Sequence, residues 1–134
     1  MGLKDILQES SDLTIKNLQK LQKEYDKRFI SEEFVGFNKV RHTYAHMGKL
    51  LGRLADYVQT VEDGEKDSYT SQQQIKEKVI PDLLVYSVWL AEELGVNLEQ
   101  AYLKRFIGNI KRLYMNKISS EELRELELLA NKKH

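Results

Sequence analysis

The 134-residue chain has no cysteine. Disulfides, thiolate zinc centres and cysteine nucleophiles are thereby excluded, and such a composition is the usual one for a cytoplasmic protein, the location expected here. Proline occurs once and glycine seven times, so breakers are few and helices should be long. Neither sign of charge is in excess: 21 basic residues stand against 21 acidic ones, which leaves no global attraction to nucleic acid or to an anionic membrane surface. Long hydrophobic runs are missing as well. The longest apolar stretch falls within residues 79–91, too short to span a bilayer, and no basic start followed by an apolar run suggests a signal peptide. Reaction motifs are equally scarce. There is no glycine-rich phosphate loop, no serine elbow and no nucleic-acid reader motif, and the three histidines, at positions 42, 46 and 134, are too scattered for a triad.

What the chain does have is helical periodicity over a length that fits a single domain, residues 1–134. A weak amphipathic start covers Leu3 to Leu7. Ser10, Ser11 or Asp12 can cap a following helix with Leu13, Ile15, Leu18, Leu21 and Tyr25 as its apolar positions, fraying near Phe29. Ser31, with Glu32 and Glu33 in the first turn, is placed to cap a long helix. Its apolar residues are Phe37, Val40, Tyr44, Met47, Leu51, Leu54 and Val58, a single stripe of alternating threes and fours that Asp63–Gly64 ends. After a polar loop at residues 64–71, a third helix runs from about Ser71 to Leu94 and is expected to kink or split at Pro81. Beyond Pro81 it is apolar nearly all round and should be the most buried element. Gly95 is suited to a left-handed C-cap. Asn97 with Gln100 opens a helix to about Tyr114, and Ser119 with Glu122 opens a short last one ending near Asn131. No alternating run argues for a strand. The expected fold is all-α, a bundle of four main helices with short terminal helices.

Residues 101–120 hold five basic residues (Lys104, Arg105, Lys111, Arg112 and Lys117) and no acidic one. Cations favoured at a helix C-terminal half explain such a patch; so does an anion site. Arg105, Asn109 and Arg112 recur at four and three and share a face, and an asparagine in mid-helix is disfavoured by propensity. Upstream of them, Asp82 stands at the mouth of the apolar run "LLVYSVWLA".

Residues 80–114 resemble the C-terminal half of the MazG-like, all-α nucleoside triphosphate pyrophosphohydrolases, including their deoxycytidine triphosphatase branch. The family pattern is an Asp, an apolar stretch with a Tyr, a short turn, and a helix with a basic residue, an Asn four later and a basic residue three beyond. This chain supplies Asp82, "LLVYSVWLA", "ELGVNLEQA", Arg105, Asn109 and Arg112 without a gap. The resemblance implies a MazG-like bundle, Mg²⁺ held by carboxylates from two helices, and cleavage of a nucleoside triphosphate to monophosphate and pyrophosphate. Metal-bridged phosphates, an activated water and a neutralised leaving group are its chemistry.

The chain departs from that pattern at the metal. Where the family carries Glu-Glu-x-x-Glu, this sequence reads Ala45, His46, Met47, Gly48, Lys49; where it carries Glu-x-x-Asp, it reads Val79, Ile80, Pro81, Asp82. Asp82 is the one ligand kept, and Glu77 lies two residues from the vacant place, turned roughly 200° away on a regular helix. Lys49 in place of a Glu inverts the local charge and can meet phosphate directly. Lys49, Arg105, Asn109 and Arg112 are therefore the expected phosphate or nucleotide contacts. Asp82 and His46 are the residual metal candidates, and the missing carboxylates argue against a Mg²⁺ centre.

Each residue also has a plainer reading. Asp82 can cap a helix segment broken at Pro81, or pair with Lys49 or Arg105. His42 and His46 lie four apart in a stripe continued by Lys49, Arg53 and Asp56, opposite the apolar stripe, where a solvated face is expected. A zinc site there would need a third ligand, and the remaining His is terminal. Tyr86, Trp89 and Tyr102 read as core aromatics, one of which can serve as a stacking surface for a base. The expected function is that of a MazG-family protein with a degenerate metal site that retains nucleotide or phosphate binding and self-associates through leftover apolar surface. The alternatives are an active Mg²⁺-dependent pyrophosphohydrolase with non-standard ligands (Glu62, Asp63 or Glu77) and a helical protein-interaction module.

Overall fold

The structure is a computed structural model that describes residues 2–8, 13–64 and 70–132. Ser10, Ser11 and Asp12, residues 65–69 of the polar loop, and His134 lie outside the described residues. Within them the chain is all-α, with helices and turns and no strand. In order come α1 (Leu3–Gln8), α2 (Ile15–Phe29), α3 (Phe37–Asp63), α4, α5 (Leu98–Leu113) and α6 (Ser120–Asn131). α4 is one rod in three parts: Gln72–Gln74, a π-helical stretch Ile75–Val79, and Ile80–Glu93. No helix among the described residues is long and apolar enough to cross a membrane.

The π-helical stretch answers the question Pro81 raises. A proline cannot donate to the carbonyl four residues back, and its ring crowds that turn. Here the preceding turn widens, so that the Ile80 N–H donates to the Ile75 carbonyl, and the helix passes Pro81 without splitting. Asp82 is therefore not the cap of a new segment. The cap of the rod is Ser71, whose hydroxyl accepts from the Gln74 N–H while the Gln74 side chain accepts from the Ser71 N–H.

Other ends follow the same chemistry, with two shifts from expectation. Thr14 caps α2, its hydroxyl accepting from the Asn17 N–H at 3.1 Å. Ser31 organises only a local turn, and α3 begins six residues later at Phe37 behind Gly36. Gly36 has φ 68°, a conformation glycine adopts at little cost, and its N–H donates to the Glu93 carboxylate, which pins the α3 entry to the end of α4. Asn97 and Ser119 cap α5 and α6 as expected, each accepting at 3.1 Å from the N–H three residues on.

α4 sits at the centre. It packs along α3 and against α2; α2 also carries α1 and α5, and α6 lies on α5. The core between α3 and α4 is Leu50, Ile75 and Val79, with Leu54, Tyr57, Leu83 and Tyr86 packed around it. Burying side chains such as Leu50 and Val79 contributes about 1.5–3 kcal/mol each. Val88, Trp89 and Ala91 are also buried, but Ile80 and Leu84 are exposed, so the rod is not apolar-buried on all sides. Gln19 ties α5 to α2: its side chain donates to the Val96 carbonyl and accepts from the Leu98 N–H, at 3.0 and 2.8 Å.

α3 is turned over relative to expectation. The side that meets α4 carries Lys39, Thr43, Leu50, Leu54 and Tyr57, together with half-buried His42 and His46. Phe37, Tyr44, Leu51 and Val58 of the expected core stripe are exposed. The apolar arc of α3 is wider than one partner can cover, and α4 takes its polar-aromatic flank.

Candidate functional site

The polar interior of the α3–α4 contact is built from three helices. Asp26 of α2 accepts from the Trp89 indole N–H of α4 at 3.1 Å and from Gln22 at 2.9 Å. Lys39 of α3 approaches the same carboxylate at 3.6 Å and lies over the Trp89 ring, 5.2 Å from its centroid. The Lys39 and Asp26 side chains are only 10% and 12% exposed, so this is a nearly buried ion pair with its lone pairs shared among several donors. It was not anticipated from the sequence. The signals were the single Trp, whose N–H needs a partner when buried, and Gln22 four residues before Asp26 on one helix face.

From Trp89 a run of rings leads outward along α3 and α4. Phe34 stands edge-on to His42 at 4.9 Å between centroids and to Trp89 at 6.0 Å. The His42 and His46 rings are 4.1 Å apart, and Tyr86 meets Trp89 edge-on at 5.4 Å. His46 stacks on Tyr86 at 5.5 Å with ring planes 22° apart. Asp82 is half-buried one turn before Tyr86 on α4, and Lys49 is exposed one turn beyond His46 on α3. Burial, and then the charge of Asp82, push the Tyr86 phenol above its ordinary 10.0. Burial, and then the neighbouring His46, hold His42 below its ordinary 6.5. The histidine stripe is thus a packed surface and not the solvated face expected of it.

Asp82 and His46 therefore border Tyr86, and Lys49 follows His46 by one turn on α3. Arg105, Asn109 and Arg112 stand elsewhere, on α5, which packs on α2 and α6. Arg112 donates to Asn109 Oδ1 at 3.1 Å, so these two side chains share a face as their spacing requires. Among the described residues, no hydrogen bond or ion pair joins the α5 group to Asp82, His46 or Lys49. A hollow of about 760 Å³ lies between α5 and α6. It is lined by Gln100, Lys104, Gly108 and Lys111 with Glu127 and Asn131, not by Arg105 or Arg112. Lys111 there is paired with Glu127. Trp89 is a core aromatic and Tyr86 a half-buried one at the edge of the core, but Tyr102 is 56% exposed and stacks on Phe106.

The residues present do not fit a Mg²⁺ centre. Mg²⁺ asks for near-octahedral oxygen ligands. Val79, where the resemblance expects a Glu, is 1% exposed and packed with Leu50 and Ile75. Ala45 and Lys49 are exposed and offer no oxygen ligand from their side chains. Glu77 is exposed and accepts from Gln73, so the widened turn does not swing it inward. Glu62 and Asp63 close the far end of α3, roughly 20 Å along the helix from Lys49. Among the described residues no three His, Asp or Glu side chains stand close enough together to hold a metal. No protein family, curated protein or solved structure compared with the chain matches it.

The arrangement at this edge offers ring faces, one exposed cation and one carboxylate acceptor.

Proposed function

We propose that the chain is a MazG-like helical protein that binds a nucleotide or a related phosphate compound at the α3–α4 edge and does not cleave it through a metal centre. The observation that carries this reading is the stack of His46 on Tyr86, with exposed Lys49 one turn beyond His46 on α3 and half-buried Asp82 one turn before Tyr86 on α4. A ring face accepts a base by stacking. Lys49 meets phosphate as a point charge. Asp82 accepts from a sugar hydroxyl or an exocyclic amine. Arg105, Asn109 and Arg112 supply a separate cationic face on α5, which a long polyphosphate or a second anion would use.

Calorimetric titration with nucleoside triphosphates in the presence of a chelator tests the reading, alongside pyrophosphate release with Mg²⁺ or Mn²⁺. Binding without metal, weakened about tenfold by Lys49→Ala and by Tyr86→Ala, with no pyrophosphate released, is the expected result. Weakening by Arg105→Ala and Arg112→Ala with Lys49→Ala silent moves the site to α5. Pyrophosphate release that depends on added metal overturns the reading in favour of an active hydrolase, and absence of any binding removes it.

A further inference from the structure

α3 carries two interleaved sevenfold series. Phe37, Tyr44, Leu51 and Val58 recur at seven, and Val40, Met47, Leu54 and Val61 follow each by three. A strict heptad over four repeats is the pattern of a helix that runs along another helix in a supercoil. Yet α4 takes the flank of this seam at Leu54, which packs against Leu50, Ile75 and Val79, and leaves the first series open. Phe37, Tyr44, Leu51 and Val58 are 69%, 78%, 54% and 45% exposed, and Val61 is 63% exposed. α3 is 27 residues long, roughly 40 Å, so the open seam runs the length of the molecule's longest rod.

Two glycines sit on the same side. Gly48 and Gly52 are exposed in mid-helix, where glycine weakens a helix relative to alanine. A Cβ at either would meet nothing within 4 Å, so nothing inside the chain requires the missing side chain. Ala45 and Ala55 flank them and are exposed too. Close approach of another backbone is what such a small-residue strip allows.

We infer that the outer face of α3 is the interface of a two-fold dimer, in which α3 of a second copy of this chain lies antiparallel across it. Charge selects the occupant and its direction. Arg41 stands near the start of the seam, its guanidinium over the Phe37 ring at 5.0 Å, and Glu62 stands at its end. Both are exposed, and both sit four residues after a member of the first series. An antiparallel two-fold axis between Leu51 and Gly52 sets Arg41 opposite Glu62 of the second copy, at both ends. The same axis sets Leu51 opposite Gly52 and Gly48 opposite Ala55, so that large meets small at the centre. A parallel pair would oppose Arg41 with Arg41 and Glu62 with Glu62. One self-complementary patch used twice is what a two-fold interface demands. The mixed charges at its ends do not suit a lipid surface, which would need basic residues alone.

The inference stands apart from the ligand site, which lies on the opposite side of α3. Sedimentation of the full chain across the micromolar range tests it. The expected species has twice the 15.7 kDa chain mass. Leu51→Glu and, as a second variant, Tyr44→Ser yield monomers of unchanged helix content by circular dichroism. Arg41→Glu and Glu62→Arg each raise the dimer Kd by about tenfold, and the double variant returns it to within about threefold of the parent. A monomer at every concentration, or a dimer indifferent to Leu51→Glu and Tyr44→Ser, overturns the interface. Single charge variants without effect, or a double variant weaker than either single, overturn the antiparallel register.

Discussion

Leu50 and Leu51 are consecutive in sequence and opposite in circumstance. Leu50 is 5% exposed, in the core with Ile75 and Val79; Leu51 is 54% exposed on the outer face of the same helix. The two sides of α3 differ in kind as well as in burial. The inner side mixes Leu50 and Leu54 with Lys39, Thr43, His42 and His46, and satisfies those polar groups through α2 and α4. The outer side is the more regular apolar surface, and it is open. The difference teaches that the inward direction of a helix is set by which groups its neighbours can satisfy, as well as by where its apolar residues lie.

The widest contrast comes from truncating each leucine. Leu50→Ala should cost about 2–5 kcal/mol in urea denaturation, the usual range for a core leucine. Leu51→Ala, measured at dilutions where copies are apart, should change stability by less than about 0.5 kcal/mol and act on association instead. Equal losses at the two positions would break the comparison.

The next effect concerns the polar content of the inner side. Asp26→Ala leaves the Lys39 ammonium nearly buried without its carboxylate and should cost about 3 kcal/mol. Replacing Lys39 by Met in the same chain should recover much of that loss. Trp89, the single Trp, reports both changes through its emission, because its indole N–H donates to Asp26.

A smaller effect has a sign that depends on concentration. Gly48→Ala should stabilise the dilute chain by about 0.5–1 kcal/mol through helix propensity alone, since the new methyl meets nothing. At concentrations where α3 faces a second copy, the same methyl should weaken association. Stabilisation at all concentrations would detach the glycine from the interface.

The smallest effect is a pH dependence of the inner side. His42 is held below 6.5 by burial and by His46. The unfolded chain then binds more protons than the folded one as pH falls through and below that value, so stability declines with acidification. Thermal unfolding of His42→Gln should lose less between pH 7.5 and 5 than the parent does; an equal or greater loss would contradict the assignment.

Much of the architecture was legible in the sequence because it depends on local chemistry. The caps at Asn97 and Ser119, the helix end at Gly64, the left-handed Gly95 and the helical character of all four main rods follow from residue type and spacing. Pro81 announced a disturbance, but not that a π-helical turn would absorb it, since that outcome depends on the packing of Ile75 and Val79. The start of α3 was misplaced because Ser31 and two glutamates look like a cap, whereas the Gly36–Glu93 contact that sets the true start spans the chain. The site was legible in part. Spacing correctly joins Asn109 to Arg112, whose side chains hydrogen-bond. The tie from Gln19 to the α4–α5 turn, which seats α5 on α2, was not legible, because it spans most of the chain.

Amide chemical shifts of the full chain, recorded with a nucleoside triphosphate and a chelator, test the two-sided account of α3 most directly. The account predicts changes gathered at His46, Lys49, Asp82 and Tyr86, with Tyr44, Leu51 and Val58 unmoved. Changes along the outer series with the inner residues silent, or no changes at saturating nucleotide, would contradict it.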